Sequence, residues 1–341
     1  MTKKKILFIC GSLNQTTMMH KISKHFEGYE CFFSPYYADK FLDFFAQRGI
    51  LDFCILGGQF KKNTLEYLRK NGLSIDYKGT NDNYSLVFTC SDLIVPSNAR
   101  NKPLILVQEG MTDPENLIYH IVKTFKLPRW IASTSTTGIS DLYDKFCVAS
   151  EGYKEHFIKK GVRPEKIVVT GIPNFDNAES FLNNDFPHKN YVMVATSDMR
   201  ETFKYENRKK FIQECKRIAG EKQLLFKLHP NENAQRARRE IDTYAPGSLV
   251  FSEGNTDHMI ANCDVLITKY SSVVYVGLAL GKEVHSYFNL DELKRLSPIQ
   301  NGGKSAEAIA RVGIELMNEP VKKKNRAFEP AAKLTEAFDH Q

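Results

Sequence analysis

Three short stretches of this chain carry groups able to do chemistry: Gln108-Glu109-Gly110, His229-Pro230 and Lys269-Tyr270-Ser271-Ser272. An imidazole such as His229 can donate a hydrogen bond or a positive charge to a phosphate or leaving group. Pro230 stiffens the exit behind it and forbids further ladder pairing. The hydroxyls of Ser271 and Ser272, with Lys269 and Tyr270 beside them, suit a phosphate where unpaired helix N–H groups begin. One serine there would serve equally well as an N-cap. The second serine and the adjacent cation favour the phosphate reading. Glu109, followed by glycine, can act as general base on an acceptor hydroxyl, with a solvent-facing turn as the plain alternative. Thr196-Ser197-Asp198-Met199-Arg200 adds Ser197 and Arg200 as phosphate candidates, and surface charge explains the arginine equally well. Gly11-Ser12-Leu13-Asn14 completes the set as a turn into a helix; Gly11, Ser12, Asn14 and Gln108 are the acceptor-side candidates.

All of these residues directly follow short apolar runs. The runs read as strands at Lys5–Cys10, Phe53–Leu56, Leu86–Thr89, Leu104–Gln108, Lys145–Ala149 and Lys166–Thr170. A second series follows at Tyr191–Ala195, Leu224–Leu228, Leu249–Ser252, Val265–Thr268 and Glu283–Tyr287. Amphipathic helices fit between them, for example at Glu151–Lys160, Asn207–Ala219 and Asn233–Thr243. Alternating strands and helices at this spacing imply parallel sheets covered on both faces. In such sheets ligands sit beyond the carboxyl ends of the strands, which is where the candidates fall. Residues 171–190 are rich in Asn, Asp and Pro and interrupt the series. The reading is therefore an N-terminal acceptor-side domain over 1–176 and a C-terminal nucleotide-binding domain over 187–320. A basic segment and helix follow over 321–341.

The bulk composition agrees with an ordinary globular chain: 341 residues, 42% hydrophobic and 26% charged, with a net charge of +7. The positive balance favours anionic partners such as nucleotides, acidic glycans or a lipid headgroup surface, and no nucleic-acid partner is expected. The cluster Lys322-Lys323-Lys324-Asn325-Arg326 reads as a solvated segment, with membrane-surface contact as the alternative. Seven scattered cysteines without a Cys-x-x-Cys pair read as reduced thiols of a cytoplasmic protein. MTKKKILFIC has too short an apolar run for a signal peptide and reads as a first strand. G-x-G-x-x-G and G-x-x-x-x-G-K-[ST] are both absent, which weighs against a dinucleotide oxidoreductase and a P-loop hydrolase. The absence of Asp-x-Asp favours a metal-free mechanism.

Residues 144–176, DKFCVASEGYKEHFIKKGVRPEKIVVTGIPNFD, resemble the end of the N-terminal domain in two-domain GT-B enzymes. That fold is shared by glycosyltransferases and UDP-N-acetylglucosamine 2-epimerases. KLHP at 227–230 and ITKYSSVVY at 267–275 resemble enzymes that use cytidine nucleotides: bacterial sialyltransferases, Kdo transferases and CDP-glycerol glycerophosphotransferases. The resemblance implies two doubly wound Rossmann-like domains facing each other across a cleft. It also implies Glu109 as acceptor base, His229 acting on the departing phosphate, and Ser271 and Ser272 binding that phosphate. Two positions depart from the pattern. Gln108 stands where the sialyltransferases carry a first acid, and Lys269 stands where the glycerophosphotransferases carry Asp. The latter family's Trp-His-Gly and the epimerases' Ser-Gly-Gly are missing. The implied function is transfer of a sugar from a CMP-linked donor to a glycan or lipid-linked acceptor of envelope polysaccharide, with no cofactor and no metal. A UDP-sugar 2-epimerase, a glycerophosphotransferase and a non-catalytic nucleotide-sugar-binding protein are the alternatives.

Overall fold

The computed structural model describes residues 3–320, apart from 53, 82 and 202–204. The basic segment and helix expected over 321–341 therefore lie outside the described residues. Two units result, one of residues 1–176 with 301–341, the other of 177–300.

The first unit holds strands β1 (Lys5–Cys10), β2 (Glu30–Pro35), β3 (Tyr84–Thr89), β4 (Leu104–Val107), β5 (Lys145–Val148) and β6 (Ile167–Val169). They form one parallel sheet in the order β2-β1-β3-β4-β5-β6. Its central strands are continuous apolar runs because helices cover both faces. Phe8 of β1 stacks on its registered neighbours Phe33 of β2 and Phe88 of β3, with ring centroids 5.2 and 5.0 Å away. Burying a Phe side chain stabilises by about 1.5–3 kcal/mol, so this three-ring ladder anchors the sheet.

Of the strand expected at Phe53–Leu56, the described residues Cys54–Leu56 lie in a bend and turn instead. β2 takes the edge position instead. Its sequence, ECFFSP, hides the signal because it alternates poorly and ends on proline, a residue tolerated only at such edges.

The second unit holds β7 (Val192–Ala195), β8 (Leu224–Lys227), β9 (Leu249–Phe251), β10 (Val265–Thr268) and β11 (Glu283–His285). Their order is β11-β10-β7-β8-β9, again parallel throughout. Val192, Val194, Phe226, Ile267, Phe211 and Ile212 join one buried cluster between this sheet and the helix Arg208–Ala219.

The second unit ends at Gln300 rather than at 320. Helix Ser305–Asn318 belongs to the first unit, where Ala306, Ile309 and Ala310 are buried. Gly313 sets how closely it packs. A Cβ there would lie 2.8 Å from Leu86, 2.9 Å from Phe88 and 3.1 Å from Phe26. Asp176 ties the returning chain in place. Its carbonyl accepts from the N–H groups of Asn301 and Gly302, and its carboxylate accepts from Ser305 N at 2.8 Å.

Candidate functional site

In the second unit Thr268, Ala195 and Lys227 are in register across β10, β7 and β8. The segments that leave these strands therefore emerge together: Lys269–Ser272, Thr196–Ser197 and Leu228–His229. The strand order reverses between β7 and β10, the topological switch point where doubly wound sheets take ligands. Two hydroxyls at this edge, Ser197 Oγ and Thr268 Oγ1, are buried and bond to no other described residue. Buried polar atoms are nearly always paired, which makes these two hydroxyls candidates for a partner outside the described residues.

His229 is half-buried at the end of β8. Its backbone N–H donates to Thr196 Oγ1 at 3.0 Å, and its Nδ1 accepts from Asn231 N at 3.2 Å. An Nδ1 that accepts leaves the proton of the neutral ring on Nε2. Burial lowers the imidazole's pKa, opposed by the Asp198 carboxylate 3.7 Å from Nδ1. At neutral pH the side chain is thus a hydrogen-bond donor rather than a fixed cation. Pro230, behind it, is exposed.

The serine corner differs from the expected helix start. The helix that follows spans only Val274–Ala279, and neither serine side chain caps it. Ser271 Oγ reaches Val273 N at 3.5 Å, and the Ser272 hydroxyl bonds to no described residue. Both remain half-buried and available to a ligand. The corner is braced from behind. Ser286 Oγ and Tyr287 N donate to the Lys269 carbonyl, and Tyr270 packs edge-on against Tyr287 and Phe288. Gly277 lets the short helix approach β10, since a Cβ there would lie 2.7 Å from Leu266.

Two cations assigned to phosphate point elsewhere. Lys269 is 5% exposed; its Nζ donates to Glu206 Oε1 at 2.7 Å and lies 4.2 Å from the Phe211 ring centre. Burial lowers its pKa while Glu206 opposes the shift. Arg200 forms a bidentate pair with Glu240 at 2.8 and 2.9 Å, the strong geometry for guanidinium and carboxylate. Arg208, also buried, joins Glu206 and Glu232, and Glu232 accepts from Thr196 Oγ1. Because Thr196 also receives the His229 N–H, this buried network fixes the loops that carry the histidine. Lys269, which stands where the glycerophosphotransferases carry Asp, finds its counter-charge in Glu206, distant in sequence.

In the first unit Glu109 follows β4 and is held by three side chains from the exit of β1. Ser12 Oγ and Asn14 Nδ2 donate to Oε1 at 2.7 and 3.3 Å, and Gln15 Nε2 donates to Oε2 at 2.5 Å. Ser12 also N-caps the helix Leu13–Ser23 by accepting from Gln15 N at 3.2 Å, so the carboxylate sits at that helix's positive end. Gly11 leaves room for this arrangement, for a Cβ there would lie 2.1 Å from Gln15 Oε1. Asn174 Nδ2 donates to Asn14 Oδ1 at 2.6 Å and steadies the turn. Gln108 does not face an acceptor. It is buried, donating to Gly110 O and accepting from Ala149 N, and so clamps the ends of β4 and β5.

Sequence reading missed Gln15, although the spacing Ser12-x-x-Gln15 matches a capping box whose glutamine would normally turn back to the cap. Here that side chain reaches Glu109 instead. A cavity of about 430 Å³ in the first unit is lined by none of these candidates.

No family model matches the chain, and no curated protein matches it. Solved structures do. A Listeria monocytogenes protein named as a UDP-N-acetylglucosamine 2-epimerase superposes with a TM-score of 0.59 at 15% identity, over 94% of this chain and 99% of that one. S. aureus MnaA, solved with UDP, gives 0.54 at 13% identity over 99% and 96%. A variant of the wall teichoic acid polymerase TagF, soaked with CDPG, gives 0.53 at 12% identity over 92% and 88%. With two doubly wound parallel sheets, each in a unit of its own, and these likenesses spanning nearly the whole chain, the protein has the GT-B fold.

Proposed function

We propose that this chain is a glycosyltransferase that moves a sugar from a CMP-linked donor to a glycan or lipid-linked acceptor of envelope polysaccharide, without a metal ion. The observation that carries the reading is the carboxyl edge of β8, β7 and β10. There the neutral His229, the unpartnered Ser197 and the free Ser272 hydroxyl emerge from adjacent strands. An acceptor oxygen bonds to the anomeric carbon as the bond from that carbon to the phosphate oxygen breaks, and CMP departs with the electron pair. Glu109, oriented by Ser12, Asn14 and Gln15, takes the acceptor proton. His229 Nε2–H and the serine hydroxyls donate to the phosphate as its charge grows. Lys269 and Arg200 act through the scaffold rather than on the nucleotide.

Two alternatives rest on the solved structures: 2-epimerisation of a UDP-sugar, named for the Listeria protein, and polymer synthesis, named for TagF. A thermal-shift panel of CMP, CDP, UDP, UMP and GDP separates the three. A ligand at a hundred times its Kd stabilises by about 2.7 kcal/mol. CMP should give the largest shift, and labelled CMP-sugar should yield CMP with a transferred or hydrolysed sugar. A C2-epimerised UDP-sugar would establish the isomerase. CDP-dominated binding with CMP release from CDP-glycerol would establish the polymerase-like reading.

A further inference from the structure

From Asn116 through Ser140 the sequence contains no Asp or Glu, while Lys123, Lys126 and Arg129 fall within it. The same stretch forms the helix Leu117–Phe125 and a following 3₁₀ segment, Arg129–Thr136. Along the helix Leu117, Ile118, Ile121 and Phe125 fall within one arc of about 100° at 100° per residue. The core takes the neighbouring arc, through Tyr119 and Val122. The apolar arc faces outward, with Leu117 74% and Phe125 71% exposed, and Leu127, Trp130 and Ile131 of the adjoining segment are exposed as well. Monomeric soluble surfaces rarely carry so continuous an apolar face without a partner.

We propose that this surface docks on an anionic phospholipid bilayer, the helix lying in the interfacial plane. An apolar helical face, a tryptophan at headgroup depth and flanking lysines are the ingredients of interfacial binding. The cations complete the match. Lys126, exposed at the left-handed end of the helix, makes no side-chain bond to a described residue. Lys123, Lys126, Arg129 and Trp130 line the cavity of about 430 Å³ beside the helix, where a headgroup phosphate fits. Each cation near an anionic surface raises partition by a factor of about five. A second copy of the chain is the weaker occupant, because a two-fold contact would bring this cationic rim against itself. Among the described residues no helix is long and apolar enough to cross a membrane, so the contact lies on the surface.

Trp130 is the chain's single tryptophan, so its fluorescence reports on this surface alone. The full chain is titrated with vesicles of phosphatidylglycerol and phosphatidylcholine, and with phosphatidylcholine vesicles. Anionic vesicles should blue-shift Trp130, lipids brominated on the acyl chain should quench it, and the protein should co-sediment. Leu117→Ser with Phe125→Ser should lower partition at least tenfold, and Lys126→Glu several-fold, with unchanged thermal unfolding because all three side chains are exposed. Co-sedimentation without a Trp130 response, and retained by the double variant, would overturn the assignment and point to another surface. So would the absence of binding, or a dimer in light scattering that the double variant abolishes.

Discussion

Lys269 Nζ and Glu206 Oε1 lie 2.7 Å apart in the interior of the second unit, the lysine 5% exposed and the glutamate side chain 1%. The pair converts an anomalous residue beside the serine corner into a structural tie. Breaking a buried pair from one side costs about 3–5 kcal/mol, because the other charge is left without compensation. Arg208 and Arg200 also face Glu206, so Lys269→Met should fall at the lower end, near 3 kcal/mol, in urea unfolding. A variant of unchanged stability but weakened CMP binding would instead return Lys269 to the phosphate.

Glu109 should separate chemistry from binding. Glu109→Gln is expected to lower kcat by about 10²–10⁴-fold while the Kd for CMP stays put. Gly11→Ala should act on the same carboxylate at one remove, by driving the Gln15 carboxamide from its place. A kcat loss of roughly tenfold with unaltered donor affinity is the expected signature, since mispositioning weakens a base without removing it. Single-turnover kinetics with labelled donor read both.

Ser271→Ala combined with Ser272→Ala tests the corner. Each hydrogen bond to a charged partner is worth about 1.5–3 kcal/mol, so CMP affinity should fall at least tenfold in calorimetry. Stability should hardly move, because neither side chain caps the helix Val274–Ala279. The reverse pattern, lost stability with intact affinity, would make the serines ordinary turn residues.

His229 should tolerate glutamine better than alanine. A glutamine amide can present an N–H where Nε2–H stands, so His229→Gln should stay within about tenfold of the parent, whereas His229→Ala should lose about 10²–10³-fold in kcat. Equal losses would mean that the proton itself is transferred. The lowered pKa adds a stability signature. As pH falls below 6.5 the unfolded chain takes up a proton that the native ring refuses. The histidine's contribution, full above 6.5, is lost on the acid side, and His229→Gln should remove that part of the acid slope.

Lys160, 3% exposed, offers a test at alkaline pH. Burial lowers its pKa from 10.5 to about 8, against the opposing charges of Glu115 and Asp92. Between these values the unfolded chain binds the extra proton, so stability rises with pH across the window. The rise should amount to about 3 kcal/mol and should vanish in Lys160→Met, which keeps the side-chain volume. Urea midpoints from pH 8 to 10.5 for the two proteins give the difference.

Local pattern made most of the architecture legible. Lys5–Cys10 and Val265–Thr268 are buried on both faces, so their apolar runs mark them to the residue, and the strand ends then locate Glu109 and His229. What failed was whatever depended on a partner far along the chain. Nothing around Lys269 announces Glu206, so its sequence context suggests a phosphate ligand, and nothing around Arg200 announces Glu240, which leaves phosphate contact and surface charge equally open there. Gln15 was invisible because its usual role is local, and only the fold brings β4 beside β1's exit. β2 was lost because an edge strand needs no continuous apolar run. The second domain's end was misplaced because Ser305–Asn318 looks like any amphipathic helix, and only the space above Gly313 says which sheet it covers.

The Asp176 clasp makes the first unit discontinuous in sequence, with residues 177–300 interposed. During synthesis the second unit has its whole sheet and can close its core as soon as Gln300 has emerged. The first unit begins earlier but must finish later, since the side of Leu86 and Phe88 that meets Gly313 lacks its cover until that helix arrives. A nascent chain halted at residue 300 should therefore hold a protease-resistant second unit beside an unfinished first one. Of the two units, the one whose synthesis starts earlier is thus the later to become native.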